Sequence, residues 1–277
     1  MTITRFAPSP TGYLHLGHAY SALLAAREAK DRKFLLRIED IDPVRCKPEF
    51  TQAIFEDLGW LGLNWPEPVR YQSRHLADYA TPLNKLREMG LVYPCFCTRR
   101  KIEQEASRSA HAPHQGEENI IYPGICRKLS VQECDNKLGQ YKTANWRLDI
   151  GKALQITGLL FWHDRIKGKV EAQPQIFGDV VLARKDVPTS YHLSVTYDDH
   201  LQGITLVTRG EDLFASTHIH VLLQDLLGYE TPEYFHHALL TDDHGRRYAK
   251  RDRSVTLRAL REQGEAPAGI RERCGLG

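Results

Sequence analysis

Hydrophobic and polar positions alternate over Thr2–Ala7 and stop at Pro8, which predicts a short strand. Pro8-Ser9-Pro10-Thr11-Gly12 reads as a loop, because its prolines and glycine oppose regular structure. From about His15 to Lys30 the period becomes helical. Leu16, Tyr20, Leu23, Leu24 and Arg27 share one face, with the arginine closing the stripe. Phe34–Ile38 is a compact apolar run read as a buried strand, and Glu39, Asp40 and Asp42 follow its C-terminal end. This strand–loop–helix–strand order predicts a parallel βαβ unit. Two more helices follow. One runs from Pro48 to Leu58, with the proline in its first turn and Phe50, Ile54 and Leu58 on one face. The other runs from Arg74 to Met89, with Ser73 as N-cap and Gly90 as the stop.

The texture changes over residues 91–175. Short β-like runs appear at Val92–Phe96, Asn145–Ile150 and Gly158–His163, with one helix announced by a Ser130/Glu133 capping box. This stretch reads as an inserted α+β domain. From Asp179 the α/β rhythm returns: strands at Val180–Ala183 and Ile204–Thr208, and helices at Ser190–His200 and Phe214–Leu227, the last ended by Gly228. The expected organisation is an α/β domain in two halves, 1–90 and 176–277, split by the insertion 91–175. No repeat or low-complexity segment interrupts it.

Composition narrows the classes. The chain has 277 residues, of which 42% are hydrophobic and 26% charged, enough to bury one large core or two modest ones. A net charge of +2 neither demands nor excludes an RNA partner. No apolar stretch approaches the roughly 20 residues that span a bilayer. The start, Met1-Thr2-Ile3-Thr4-Arg5, lacks the apolar core of a signal peptide, so a cytoplasmic protein is expected. The six cysteines cluster in the middle of the chain, unlike a disulfide framework. Cys95-Phe96-Cys97 and Cys126, in Tyr122-Pro123-Gly124-Ile125-Cys126, suit one structural zinc ion. By spacing, His111, His114, Cys134 and Tyr122 are all eligible as the fourth ligand.

The strand–loop–helix turn at His15-Leu16-Gly17-His18 has the makings of an anion site. Free N–H groups and the positive end of the helix dipole meet there, and two imidazoles add donors. Gly17 permits close backbone approach by a base or ribose. A second basic segment, His244-Gly245-Arg246-Arg247-Tyr248-Ala249-Lys250-Arg251, offers cations for a triphosphate if folded against the first.

The string Arg5-Phe6-Ala7-Pro8-Ser9-Pro10-Thr11-Gly12-Tyr13-Leu14-His15-Leu16-Gly17-His18 resembles the opening of bacterial glutamyl-tRNA synthetases, including their HIGH motif. Similar segments run along most of the chain: Leu36–Asp42, Asp179–Asp186, Tyr197-Asp198-Asp199 and Thr208–Leu213. Tyr248-Ala249-Lys250-Arg251 falls where that family has its KMSKS-type loop. Lys250 matches the second lysine, Arg247 stands at the first, and Ala249 replaces the serine, so that hydroxyl is lacking.

The resemblance implies a Rossmann-like class I synthetase catalytic domain with a zinc-bearing insertion. It implies ATP with Mg2+ as nucleotide, with His15, Gly17, His18 and Lys250 around it and His15, His18 and Lys250 in the chemistry. For L-glutamate it implies Arg5 and Arg209 as carboxylate partners, Ser9 and Ala7 close by, Glu39 on the ammonium and Tyr191 lining the pocket. Selectivity over glutamine calls for such a fixed cation. A truncated glutamyl-Q branch of the family carries a similar zinc pattern, which maps onto Cys95, Cys97, Tyr122 and Cys126. The short tail after Lys250 leaves no room for an anticodon-binding region. Both features imply a monomer that activates glutamate without tRNA and transfers it to queuosine in the anticodon of tRNA(Asp). The competing readings are a truncated synthetase charging a tRNA 3′ end, a small-molecule adenylyltransferase, and a zinc-bearing RNA-binding module without catalysis.

Overall fold

A computed structural model describes residues 2–29, 33–98, 100–102, 121–240 and 255–276. The basic segment His244–Arg251, with Arg247, Ala249 and Lys250, lies outside the described residues, as do His111 and His114.

Ten strands are described: β1 (Ile3–Phe6), β2 (Lys33–Ile38), β3 (Arg70–Tyr71), β4 (Val92–Cys95), β5 (Asn145–Leu148), β6 (Phe161–Asp164), β7 (Gly168–Glu171), β8 (Val181–Ala183), β9 (Leu206–Gly210) and β10 (Glu233–His237). The described α-helices are α1 (Leu16–Ala29), α2 (Pro48–Trp60), α3 (Ala80–Glu88), α4 (Val131–Tyr141), α5 (Ile150–Thr157), α6 (Tyr191–Leu201), α7 (Thr217–Leu227), α8 (Leu257–Glu262) and α9 (Pro267–Arg273).

The expected βαβ unit is present, with β1 and β2 paired in parallel through Ile3/Lys33 to Phe6/Leu36. β3 adds in parallel on β2. On its other side β1 lies beside β9: Thr205 N donates to the Ile3 carbonyl at 3.0 Å, and Ile3 N to Thr205 Oγ1 at 2.9 Å. β10 and β6 continue the parallel set beyond β9, and β7 closes it antiparallel. The chain thus moves outward from β1 in one direction and from β9 in the other. That reversal opens a crevice at the carboxyl ends of the two strands, where open α/β sheets bind ligands. Arg5 stands near the end of β1, and Arg209 near the end of β9.

A second, antiparallel sheet has the order β4-β5-β8. The strands cross the 91–175 division in both directions: β6 and β7 join the main sheet, and β8 joins the small one. Asp179 is the tie. Its carboxylate accepts from the Tyr93 hydroxyl at 2.5 Å, from Arg127 at 3.0 Å and from the N–H of Ile150 at 3.1 Å. One buried carboxylate therefore fixes β4, the Cys126 turn and the start of α5. The capping box at α4 is formed as its sequence predicts, with Glu133 N donating to Ser130 Oγ and Ser130 N to Glu133 Oε2.

The helix expected from Arg74 begins later. Gln72–His75 is a 3-10 turn and α3 starts only at Ala80. Ser73 is not its cap, because its N–H and hydroxyl both donate to Asp40, at 2.8 and 2.6 Å. Gln72 and Tyr79 meanwhile reach Asp198, so tertiary bonds override local helix preference across this segment.

α8 and α9 pack Leu257, Leu260 and Ile270 into the same core as Leu14, Leu16 and Leu58. Leu257 N donates to the Leu14 carbonyl at 2.8 Å, which anchors the residue just before His15. Among the described residues no helix is long and apolar enough to cross a membrane.

Asp57 of α2 is fully buried in this packing, and neither carboxylate oxygen has a hydrogen-bond partner among the described residues. Arg261 of α8 is 3.8 Å away, and burial outweighs it, pushing the Asp57 carboxyl up to about 6. The folded protein therefore holds this proton more tightly than the unfolded chain. Its stability contribution is fully present at and below the unfolded value, about 4, and is lost as pH rises through about 6. Asp57→Asn is expected to raise the urea midpoint, relative to the parent, more at pH 8 than at pH 4. A difference independent of pH would remove Asp57 as the cause.

Candidate active site

The crevice between β1 and β9 is a cleft of about 720 Å³. Arg5, Ala7, Ser9, His15, Gly17, His18, Glu39, Tyr191 and Arg209 all line it. Every described residue expected at the nucleotide or amino-acid site is thus on one cavity wall, although the segments span more than 200 residues.

The loop after β1 delivers the histidine pair. His15 Nδ1 accepts from Gly17 N at 3.1 Å, and His18 Nδ1 accepts from His15 N at 3.2 Å. In each neutral ring the proton consequently sits on Nε2, which makes it a donor suited to a phosphate oxygen. The rings lie 3.9 Å apart. A Cβ at Gly17 would lie 3.0 Å from His15 Cε1, tighter than ordinary contact, so a larger residue there would displace the folded-back imidazole.

The floor of the cleft is a set of buried charges. Arg5 donates to Asp199 Oδ1 at 3.0 Å and to the Thr208 carbonyl at 3.2 Å. Arg37, fully buried within the apolar run Phe34–Ile38, binds the same Asp199 oxygen at 2.8 Å, Glu39 Oε1 at 3.2 Å and Gln202 at 2.8 Å. Behind it, Asp198 accepts from Arg70, Gln72 and Tyr79 at 2.7, 2.8 and 2.9 Å. Burial opposes the charge on Arg37, but Asp199, Glu39 and Asp198 outweigh it and hold its pKa above the ordinary range. Asp199 is likewise penalised by burial, yet Arg5 and Arg37 carry it below the usual carboxylate value. For Glu39 burial wins, and its pKa is raised despite Arg37 and Arg5. Its Oε2 has no partner among the described residues and faces a cleft it helps to line.

Arg209 is held in the opposite way. Nε donates to His236 Nε2 at 3.1 Å, and Nη2 to Thr217 Oγ1 at 2.6 Å. Nη1 lies 3.2 Å from His220 Nδ1 and 3.4 Å from the Tyr191 hydroxyl. All four acceptors are neutral groups. Among the described residues Arg209 has no carboxylate within ion-pair distance, and it is 5% exposed. Arginine cannot accept, so His220 Nδ1 must be unprotonated and its Nε2–H faces His192 Nδ1 at 3.2 Å. Burial, with Arg209 second, lowers His192 and His236 to about 4 and His220 well below its ordinary value. The imidazoles around Arg209 therefore stay neutral at physiological pH.

Arg37, Asp198 and Asp199 fall within segments of the family resemblance but have no role assigned from sequence, and Thr217, His220 and His236, which also support the cleft, carry no sequence signal at all. One signal was available: Arg37 interrupts the apolar run Phe34–Ile38, and a charge at such a position must find a buried partner.

Away from the cleft, Cys95, Cys97 and Cys126 bring their sulfurs within 4.8 Å of one another. Cys97 and Cys126 Sγ are 3.5 Å apart, near the roughly 3.8 Å that tetrahedral Zn–S bonds of about 2.3 Å impose. The Tyr122 hydroxyl lies 3.7 Å from Cys97 Sγ. It accepts from Cys126 N at 2.7 Å, and the Arg147 guanidinium sits 3.9 Å above its ring; burial and the neighbouring thiols hold its pKa above the ordinary phenol value. Cys134 is not part of this group. The donor set fits zinc, with the three thiols and Tyr122 as the residues that would hold it. About one zinc per chain is expected by metal analysis, lost in Cys126→Ser; metal-free parent protein carrying these thiols intact would contradict the assignment.

A mostly parallel α/β sheet with a histidine-bearing loop at a helix N-terminus, a buried arginine and a carboxylate at its switch point has the layout of a nucleotide-binding α/β enzyme. The comparisons place it more closely. The model for class I tRNA synthetases (E and Q), catalytic domain, matches residues 1–276. The chain belongs to that family and is a ligase-type enzyme using ATP. It is 48% identical to a glutamyl-Q tRNA(Asp) synthetase of Rhodobacter capsulatus, over 99% of this chain and 100% of the relative. It is 38% identical to a glutamate–tRNA ligase of Coprothermobacter proteolyticus, over 96% of this chain but 56% of that one. Among solved structures, a glutamate tRNA ligase from Elizabethkingia meningosepticum, in complex with its amino acid, superposes with TM-score 0.75 at 29% identity. That match covers 91% of this chain and 52% of the ligase, so the chain spans about half the solved protein.

Proposed function

We propose that this chain activates L-glutamate with ATP, without tRNA, and transfers the glutamyl group to queuosine in the anticodon of tRNA(Asp). The observation that carries the glutamate part is Arg209. Burying a guanidinium among neutral acceptors alone is costly, and a ligand carboxylate supplies the missing counter-charge with fork-to-fork geometry. Glu39 Oε2 accepts the ammonium. Arg5, already neutralised by Asp199, adds a hydrogen-bond donor, Ser9 and Ala7 border the ligand, and Tyr191 closes the wall beside Arg209.

The glutamate α-carboxylate attacks the ATP α-phosphorus, the bond to the bridging oxygen breaks and pyrophosphate leaves with the nucleotide's Mg2+. His15 and His18 donate from Nε2 to the phosphates, and Lys250 supplies the further cation. A queuosine hydroxyl then attacks the acyl carbon and AMP departs. Catalysis of this kind rests on positioning and charge stabilisation. The queuosine acceptor is supported by the end-to-end likeness to the Rhodobacter capsulatus relative, whose name carries that acceptor.

Glutamate-dependent ATP–pyrophosphate exchange is expected without any tRNA, and labelled glutamate is expected on tRNA(Asp) bearing queuosine but not on its unmodified form. Exchange only with tRNA, or label at a 3′ end, would favour an ordinary glutamate–tRNA ligase activity; no exchange at all would leave an RNA-binding module. Arg209→Ala is expected to weaken glutamate use by about 1.5–3 kcal/mol, the scale of one charged hydrogen bond, measured as kcat/KM in the exchange reaction. Unchanged kinetics would take Arg209 out of the site.

A further inference from the structure

Behind Arg209 lies a group of polar residues that do not line the cleft. Asp164 ends β6 and His236 lies in β10, and both side chains are fully buried. Asp164 Oδ1 accepts the backbone N–H groups of Ile166 and Lys167, each at 2.9 Å. Its Oδ2 accepts His236 N at 3.2 Å and lies 2.6 Å from His236 Nδ1. The turn after β6 therefore fixes the carboxylate, and the carboxylate faces the imidazole.

The proton positions follow from the donors. Arg209 Nε–H points at His236 Nε2, and Thr217 Oγ1 lies 3.0 Å from the same nitrogen while accepting from Arg209 Nη2. A guanidinium only donates, so His236 Nε2 carries no proton and Nδ1–H donates to Asp164. The burial of His236 and the nearby Arg209 charge keep the ring neutral, which agrees with this assignment.

We propose that His236 is a positioning residue for substrate selection: held by Asp164, it fixes the plane of Arg209 through Nε while leaving the guanidinium charge whole for the ligand. The inference rests on the glutamate reading of the cleft. A neutral acceptor matters here. A carboxylate in its place would fix Arg209 equally well but satisfy its charge, removing the demand for an acidic ligand side chain.

Two substitutions separate the roles of the ring nitrogens. Glutamine places its amide near Nε2, so H236Q keeps an acceptor for Arg209 and gives up the bond to Asp164. Asparagine places its amide near Nδ1, so H236N keeps Asp164 and abandons Arg209. In tRNA-independent exchange, the glutamate KM of H236N is expected to exceed that of H236Q by about tenfold or more, the worth of a hydrogen bond to a charged group, with kcat differing less. Equal KM values, or a higher one in H236Q, would overturn the proposal, because a purely structural role depends on the Asp164 bond instead. Calorimetric glutamate binding without ATP should give the same order. Parent protein that neither exchanges nor binds glutamate would defeat the glutamate reading alone. The Arg209 Nε–H resonance of the ligand-free protein then decides the positioning role: displaced in H236N and retained in H236Q supports it, while displacement in both overturns it.

Discussion

Asp199 Oδ1 takes a hydrogen bond from Arg5 at 3.0 Å and from Arg37 at 2.8 Å, and much of the site hangs on that shared oxygen. It joins α6 to β1 and β2, whose carboxyl ends form one side of the crevice. Asp198 next to it gathers Arg70, Gln72 and Tyr79, and so fixes β3 and the turn before α3. Charges buried this deeply depend on their ion-pair partners, and removing one partner leaves another uncompensated. The network is thus a constraint on geometry more than a source of stability. It sets Arg5 and Glu39 against the cleft and permits little adjustment.

Arg209 shows what the same fold does with a cation it does not neutralise. On the β1 side the buried guanidiniums of Arg5 and Arg37 both meet carboxylates. On the β9 side, one guanidinium meets a hydroxyl, a phenol and two imidazoles, with Asp164 one ring further back. The asymmetry gives the cleft a polarity: a compensated floor with an acceptor at Glu39, and a positive wall at Arg209. An amino acid with an acidic side chain matches both ends. The neutral imidazoles also mean that this polarity does not change over the pH range in which histidines usually titrate.

Much of this was legible in the sequence, for identifiable reasons. β1, α1, β2 and α2 follow local periodicity, and the capping box of α4 and the αL stop at Gly228 are local chemistry. β10, whose residues Glu-Tyr-Phe-His-His lack clean alternation, and the hairpin strand β7 carried little local signal. The start of α3 was misplaced because Ser73 looks like a cap until Asp40 is seen to claim it. The cleft residues were found through long motif resemblance. The bonds among their supports are not legible there, because they are remote: 194 positions separate Arg5 from Asp199, and 72 separate Asp164 from His236.

The proposed choice of substrate depends on the charge at Arg209, which no carboxylate among the described residues meets. Glutamate and glutamine differ at the one group that would meet it, in nearly equal volume. Calorimetric titration of the intact chain with each amino acid, without ATP or tRNA, reads that difference directly. Glutamate is expected to bind at least about tenfold more tightly than glutamine, the scale of one charge-assisted pair. Equal affinities, or a preference for glutamine, would contradict it.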